Sequence, residues 1–209
     1  FHGDVLRGGD VTIPLTGPWD FALDPLNRGE KMGWTKPQAG WKGEDPHPSD
    51  HWDAVTVPHD FLADPRYAYT GVAWYRRSFA IPPRAADEPM WQLRFEQVSQ
   101  RCRVWLNGDL VGTHEGGYTP FEFDVSAEVK SGRQNFLVVA VDNRIRLRAL
   151  PGAHSAAAPN AQLFPWLNYG GTMGDVALVR HAAVYIERQQ IEALPAGGPF
   201  SAAAICTSR

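Results

Sequence analysis

Apolar and polar positions alternate in short bursts along the chain, with a period of two rather than the 3.6 of a helix. From Val11 to Asp24, Trp19, Phe21 and Leu23 alternate with Asp20 and Ala22, as they would in a half-buried strand. Trp52 to Pro58 is a short strand closed by Pro58, whose missing amide cannot continue a ladder. Val72 to Ile81 sets Trp74, Arg76 and Ser78 on one face against Tyr75, Arg77 and Phe79 on the other. Met90 to Val98 is extended, with Trp91, Leu93 and Phe95 on a common face. Cys102, Val104 and Leu106 share a face up to Asn107-Gly108, which suits a tight hairpin returning through Leu110 to Thr113. Phe136 to Val141 is apolar or β-branched at most positions, the pattern of a central strand covered on both faces. Val176 to Val179 and Val184 to Ile186 are the last strand signals.

Turn-forming residues separate these bursts. Twenty glycines and seventeen prolines in 209 residues favour many short elements joined by turns. Residues 25–51 read as a long irregular stretch pinned by Trp34 and Trp41, and 82–89 as a loop. Gly116-Gly117 precedes Tyr118 to Val125, and Lys130-Ser131-Gly132 marks another turn. Residues 151–163 read as an alanine-rich, proline-interrupted connector. Short strands without βαβ spacing or internal repeats predict an all-β fold, an antiparallel β-sandwich or jelly roll with two sheets across one core.

Composition narrows the function classes. With 44% hydrophobic residues and eight Trp the chain can build a core, and its net charge of -3 leaves no basic footprint for nucleic acid. It has no apolar run long enough to span a membrane, so neither partner class is expected. Two cysteines specify no disulfide scaffold, and Cys102 reads as a small buried hydrophobe. His47 and His51 lie four apart, but Pro48 argues against a helical ligand pair. No cofactor is expected, no metal site is identifiable, and cytoplasmic and exported locations both stay open.

Several polar groups are candidates for chemistry or ligand binding, each with a structural counterpart. His59-Asp60 can orient an imidazole for proton transfer or serve as a turn that docks other elements. His114-Glu115 can bind a sugar hydroxyl or hold a loop, and Asp142 and Asn143 can bind hydroxyls or pin a connection. Trp166 and Tyr169 can stack on a sugar face or pack in the core. Ser78, Ser99 and Ser126 are formal nucleophiles for a standalone carboxylesterase-like hydrolase using His59 or His114, although no G-x-S-x-G element is present.

The order of short words is more specific than any of them alone. Gly17-Pro18-Trp19-Asp20-Phe21, Val57-Pro58-His59-Asp60, Trp74-Tyr75-Arg76-Arg77 and Phe95 come first. Val104-Trp105-Leu106-Asn107-Gly108, Val111-Gly112 and His114-Glu115-Gly116-Gly117-Tyr118-Thr119-Pro120-Phe121 follow. Val141-Asp142-Asn143 and Asn168-Tyr169-Gly170-Gly171, with Val176 and Leu178 beyond, complete the series. In that order they resemble the N-terminal sugar-binding jelly-roll region of the glycoside hydrolases that include β-galactosidases and β-glucuronidases. The resemblance implies a galactose-binding-domain-like β-sandwich over residues 1–182. It implies that residues 183–209 begin a following immunoglobulin-like domain or form an extension. It also implies a carbohydrate ligand, with Asn168 among the sugar-binding candidates, and catalytic carboxylates on a separate barrel. Such a barrel needs about 250 residues of its own, so the expected role is sugar binding or docking without glycosidase chemistry. The implied partners are the immunoglobulin-like and barrel domains or a second copy of the chain. Pro165 stands where the glucuronidase-like pattern has an acidic residue that reaches the substrate, and Thr172-Met173-Gly174-Asp175 lacks the pattern's arginine.

Overall fold

The computed structural model describes residues 11–37, 52–81, 83, 90–144, 153–155, 158–162, 169–181, 186–194 and 201–208. In chain order their strands are β1 (Val11–Pro14), β2 (Gly17–Asp24), β3 (Asp53–Val57), β4 (Val72–Ala80), β5 (Met90–Phe95), β6 (Val98–Ser99), β7 (Arg101–Leu106) and β8 (Asp109–Glu115). They continue as β9 (Phe121–Asp124), β10 (Gln134–Asp142), β11 (Ala153–Ser155), β12 (Ala158–Gln162), β13 (Gly171–Thr172), β14 (Val176–His181), β15 (Ile186–Leu194) and β16 (Ser201–Ser208). One sheet runs β3-β2-β4-β10-β7-β8 and a second runs β1-β14-β5-β9, with every neighbour antiparallel. Phe21, Tyr75, Leu137 and Val104 from the larger sheet share a buried core with Leu93, Phe95 and Leu178 from the smaller one. The fold is an antiparallel jelly-roll sandwich, as the alternation predicts, and is consistent with the galactose-binding-like topology that the resemblance implies.

The central strand is β10, flanked by β4 and β7 and buried from Asn135 to Val141. Leu137, Val139 and Val141 face the inter-sheet core. Phe136, Val138 and Ala140 instead join Trp34, Trp52, Trp74 and Trp105 in a second apolar cluster on the other face of the sheet. Trp74 and Trp105 stack with centroids 5.3 Å apart, and Trp34 meets Trp74 edge-on at 5.8 Å. The Asp24 carboxylate fixes the start of the covering segment by accepting from the Arg28 and Gly29 amides at 2.7 and 2.8 Å and the Trp74 indole at 3.0 Å. Trp34 is thus the anchor expected for the irregular stretch; Trp41, His47 and His51 lie outside the described residues.

The strand boundaries depart from the sequence reading where hydrogen bonding intervenes. Val11 to Asp24 is two strands in different sheets, because the chain breaks at Leu15-Thr16. There the Leu15 amide bonds the Val176 carbonyl, while the Arg77 guanidinium donates to the Leu15 and Thr16 carbonyls at 2.8 and 2.6 Å. Met90 to Val98 likewise splits into β5 and β6. The presumed 151–163 connector contains a small antiparallel pair, β11 with β12. Most of the 82–89 loop is outside the described residues, as is Val184; the end of the chain instead pairs β15 with β16. The Asn107-Gly108 turn joins Leu106 to Asp109 directly, and both turn residues have positive φ, 57° and 100°, as the dipeptide demands.

Candidate functional site

The candidate residues fall into two places. His59, Asp60, Asn143 and Gly170 build one corner, where the loop after β3 meets the segment entering β13. The Asp60 carboxylate accepts from the Leu62 and Gly170 amides, both at 3.0 Å. The His59 and Phe61 amides donate to the Thr172 and Gly170 carbonyls, each at 2.7 Å. Asn143 accepts from the Gly71 amide at 2.9 Å and donates to the Tyr69 carbonyl at 3.2 Å. The Asp60 and Asn143 side chains bond backbone groups, Asp60 joining its own loop to Gly170 and Asn143 pinning the Tyr69–Gly71 segment, the structural alternative weighed for them above.

His59 is the one candidate here with a relay-like arrangement, and its carboxylate partner is Asp64 rather than Asp60. Its Nε2 lies 3.2 Å from Asp64 Oδ2 and its Nδ1 2.9 Å from Tyr75 Oη. A carboxylate only accepts, so Nε2 carries the proton and Nδ1 accepts from the phenol. The relay ends in the core, since Tyr75 is fully buried and burial pushes its phenol far above the ordinary range. The Ser99 hydroxyl donates to the Tyr169 carbonyl at 3.2 Å, and that of Ser126 to Asp124 at 2.7 Å. His114 stacks on Phe121 with ring centroids 3.8 Å apart. None of these described contacts joins a serine to a histidine, so the geometry gives the esterase reading no support.

Burial lowers the His59 pKa, and this outweighs the opposing hydrogen bond and charge of Asp64. A proton is therefore held less well in the folded chain than at the ordinary value of about 6.5. The stabilisation is present above that value and is lost as pH falls below it toward the depressed folded value. Urea midpoints at pH 7.5 and 5.5 are expected to differ less in His59→Gln than in the wild type. His114, also lowered by burial, should retain part of the dependence. An equal pH dependence in the variant and the wild type would show that His59 does not carry it.

The second place is a cleft of about 450 Å³ on the outer face of the larger sheet. Strand register builds it as a grid. Asp142 of β10 lies opposite Arg101 of β7, which lies opposite Glu115 of β8. One row along, Ala140 faces Arg103, which faces Thr113. The small Ala140 keeps the floor low, while Asn27 and Arg144 close the sides. Arg144 forks onto Asp142 through Nε and Nη2, each at 2.8 Å, and the Arg101 guanidinium bonds the same carboxylate. Burial works to raise the Asp142 pKa, but the two arginines outweigh it and hold the carboxyl below its ordinary value. Arg103 reaches Glu30 at 2.5 Å and lies over the Trp105 ring.

Of the sequence candidates, Glu115 and Asp142 therefore meet at this cleft; His114 borders it but stacks its ring on Phe121 of the other sheet, and His59, Asp60 and Asn143 do not line it. Tyr169 is about half exposed, which rules out core packing for it. Trp166, Asn168 and Pro165 lie outside the described residues. Cys102 is buried at the cleft's edge and its thiol is pushed up to about 12 by burial, the inert state expected of it. Arg101, Arg103 and Arg144 were missed as site residues. The Arg101-x-Arg103 alternation was legible, but it looks the same as an ordinary solvated strand face. Among the described residues no group of three or more His, Cys, Asp or Glu is placed to hold a metal ion. No helix among them is long and apolar enough to cross a membrane.

Comparison with known proteins places these features in context. Residues 13–181 match the family model described as glycosyl hydrolases family 2, sugar binding domain. The chain is 34% identical over 124 residues to a β-galactosidase of Thermoanaerobacter pseudethanolicus, covering 59% of this chain and 15% of that protein. It is 26% identical over 189 residues to a β-glucuronidase of Paenibacillus borealis, covering 83% of this chain and 30% of that protein. Among solved structures it superposes on the β-glucuronidase of an uncultured Clostridium with a TM-score of 0.78 at 26% identity, covering 100% of this chain and 35% of that one. The Lactobacillus rhamnosus β-glucuronidase gives 0.77 at 28%, covering 95% and 33%. The chain thus spans about a third or less of the length of these relatives.

Proposed function

Because the chain belongs to the sugar-binding domain family of the family 2 glycosyl hydrolases, we propose that it serves as the sugar-recognition and docking module of a glycoside hydrolase. The carboxylate pair that cleaves the glycosidic bond then belongs to a neighbouring catalytic region and not to this sandwich. The observation that carries this reading is the family match over 13–181, on a chain that spans only about a third of the solved relatives. Two features of the surface support it. The cleft beside Arg101 offers donors and acceptors to a polar ligand. Tyr118 and Tyr169, both about half exposed, flank one short segment: Gln97 Nε2 donates to the Gly117 carbonyl and the Ser99 hydroxyl to that of Tyr169. Exposed aromatic groups suit contact with another domain or a second copy.

The reading is tested by offering the purified 209-residue chain a matched panel of nitrophenyl glycosides and short-chain nitrophenyl esters. The expected result is no turnover of either. Ester turnover abolished by one serine-to-alanine change in a folded variant would overturn the non-catalytic assignment. Glycoside turnover abolished by one carboxylate-to-amide change would do the same.

A further inference from the structure

The junction between the loop after β3 and the segment 169–172 closes over a histidine whose two ring nitrogens are both in use. The His59 side chain is 9% exposed, and its ring lies edge-on to those of Phe21, Tyr67 and Tyr75 at centroid distances of 5.1, 6.0 and 5.8 Å. As a neutral ring it donates from Nε2 to Asp64 and accepts at Nδ1 from the Tyr75 phenol. That phenol has one proton to give, and the Thr172 amide bonds the same oxygen. A protonated ring would donate from both nitrogens, so the phenol would have to turn its O–H away. The His59 carbonyl is within its reach, but at 3.4 Å, where a hydrogen bond is weak.

These are the atoms on which the junction closes. Gly171 packs so tightly here that a Cβ would lie 2.1 Å from the His59 carbonyl oxygen and 2.7 Å from Tyr75 Oη. The His59 and Phe61 amides donate to the Thr172 and Gly170 carbonyls across the same seam. Of the charged groups facing the ring, Asp64 favours a proton but is also gripped by Arg66 through Nε and Nη2, at 3.1 and 2.7 Å. Asp60 is engaged by the Leu62 and Gly170 amides, and the Tyr67 phenol by Asp53 of β3. From β2 comes the uncharged Phe21, from β4 the neutral Tyr75 phenol, and from β13 backbone. The closed junction therefore holds a proton poorly, in keeping with the lowered His59 pKa, whereas water solvates the cation once the junction opens.

We propose that the His59–Tyr75 pair is a proton-operated latch, which holds segment 169–172 against the loop after β3 at neutral pH and releases it in mild acid without unfolding the sandwich. Opening also frees Tyr169, one of the two exposed tyrosines offered for docking, and so places that contact under pH control. This consequence rests on the docking reading above, whereas the latch does not.

Amide hydrogen exchange on the full 209-residue chain at pH 7.5 and 5.5 tests the latch, with rates expressed as protection factors to remove the intrinsic effect of pH. The His59 and Phe61 amides are expected to be less protected than those of β10 at both pH values, because they exchange by local opening. Their protection should fall at least about threefold at pH 5.5, toward a ceiling of about tenfold set by the one-unit distance below the ordinary histidine value of about 6.5. His59→Gln should abolish the fall at Phe61. The ring nitrogen shifts need no variant, and in the wild type they should still show mainly the neutral Nε2–H form at pH 6.5.

Junction protection equal to that of β10 would mean that the segment opens only with the whole sandwich, and would overturn the latch. So would protection that does not change with pH, a fall that persists in His59→Gln, or a His59 ring at least half protonated at pH 6.5.

Discussion

Replacing Trp74 with alanine is expected to destabilise the chain by about 3–5 kcal/mol and to release the segment that covers the outer face of the larger sheet. Trp74 is fully buried, yet it lies outside the inter-sheet core, in the second apolar cluster. Its ring is stacked on Trp105 on one side and meets the edge of Trp34. Its indole N–H is one of three donors to the buried Asp24 carboxylate, whose other two come from the covering segment itself. Truncation removes the apolar contact and leaves that carboxylate short of a donor, so the cavity and hydrogen-bond losses add. Urea unfolding followed by tryptophan emission measures the loss. Trp74→Phe separates the two contributions, because it keeps most of the ring and deletes only the donor. It is expected to cost well under half as much as the alanine change. A loss below about 1 kcal/mol in Trp74→Ala would mean that the covering segment does not depend on this residue.

That second cluster also marks how far the sequence could be read. The run from Phe136 to Val141 was legible as a strand buried on both faces, and Trp34 as an anchor in a glycine- and proline-rich stretch. What covers the second face was not legible, because it depends on where a non-periodic segment returns. The break between β1 and β2 was hidden for a related reason. Alternation continues across Leu15-Thr16, and the break is fixed from outside by Arg77, more than sixty residues along the chain. The candidate site divides in the same way. Short words such as His59-Asp60 and Asp142-Asn143 flagged polar residues at bends but not the direction in which each side chain turns. Asn143 turns toward the Tyr69–Gly71 loop, while its neighbour Asp142 turns to the cleft and its arginines. Adjacent residues on a strand face opposite sides, and which side holds the site is set by register against β4 and β7. The three arginines came together only through that register.

Alanine at position 171 is expected to be worse than its small size suggests, costing at least about 4 kcal/mol or preventing folding. Gly171 has φ of 137°, a conformation that a side chain strains, and a Cβ there would sit 2.1 Å from the His59 carbonyl oxygen and 2.7 Å from Tyr75 Oη. Neither neighbour can retreat cheaply. The His59 backbone is tied by its own amide to the Thr172 carbonyl, and the Tyr75 phenol is buried against the His59 ring nitrogen. Gly33 supplies the control, because its φ is also positive, at 77°, but a Cβ there would meet nothing within 4 Å. Gly33→Ala should therefore cost only the backbone strain, about 1–2 kcal/mol. Should Gly171→Ala be insoluble, Asp60→Ala opens the same junction without adding an atom. It leaves the Gly170 amide without its acceptor, for an expected loss of about 1–3 kcal/mol. Equal unfolding midpoints for Gly171→Ala and Gly33→Ala would show that the loop after β3 does not close on β13. So would an Asp60→Ala variant as stable as the wild type. The larger loss at Gly171 would place the cost in the close approach of the His59 carbonyl, and would give the His59-Asp60 and Gly170-Gly171 words a packing origin independent of any ligand.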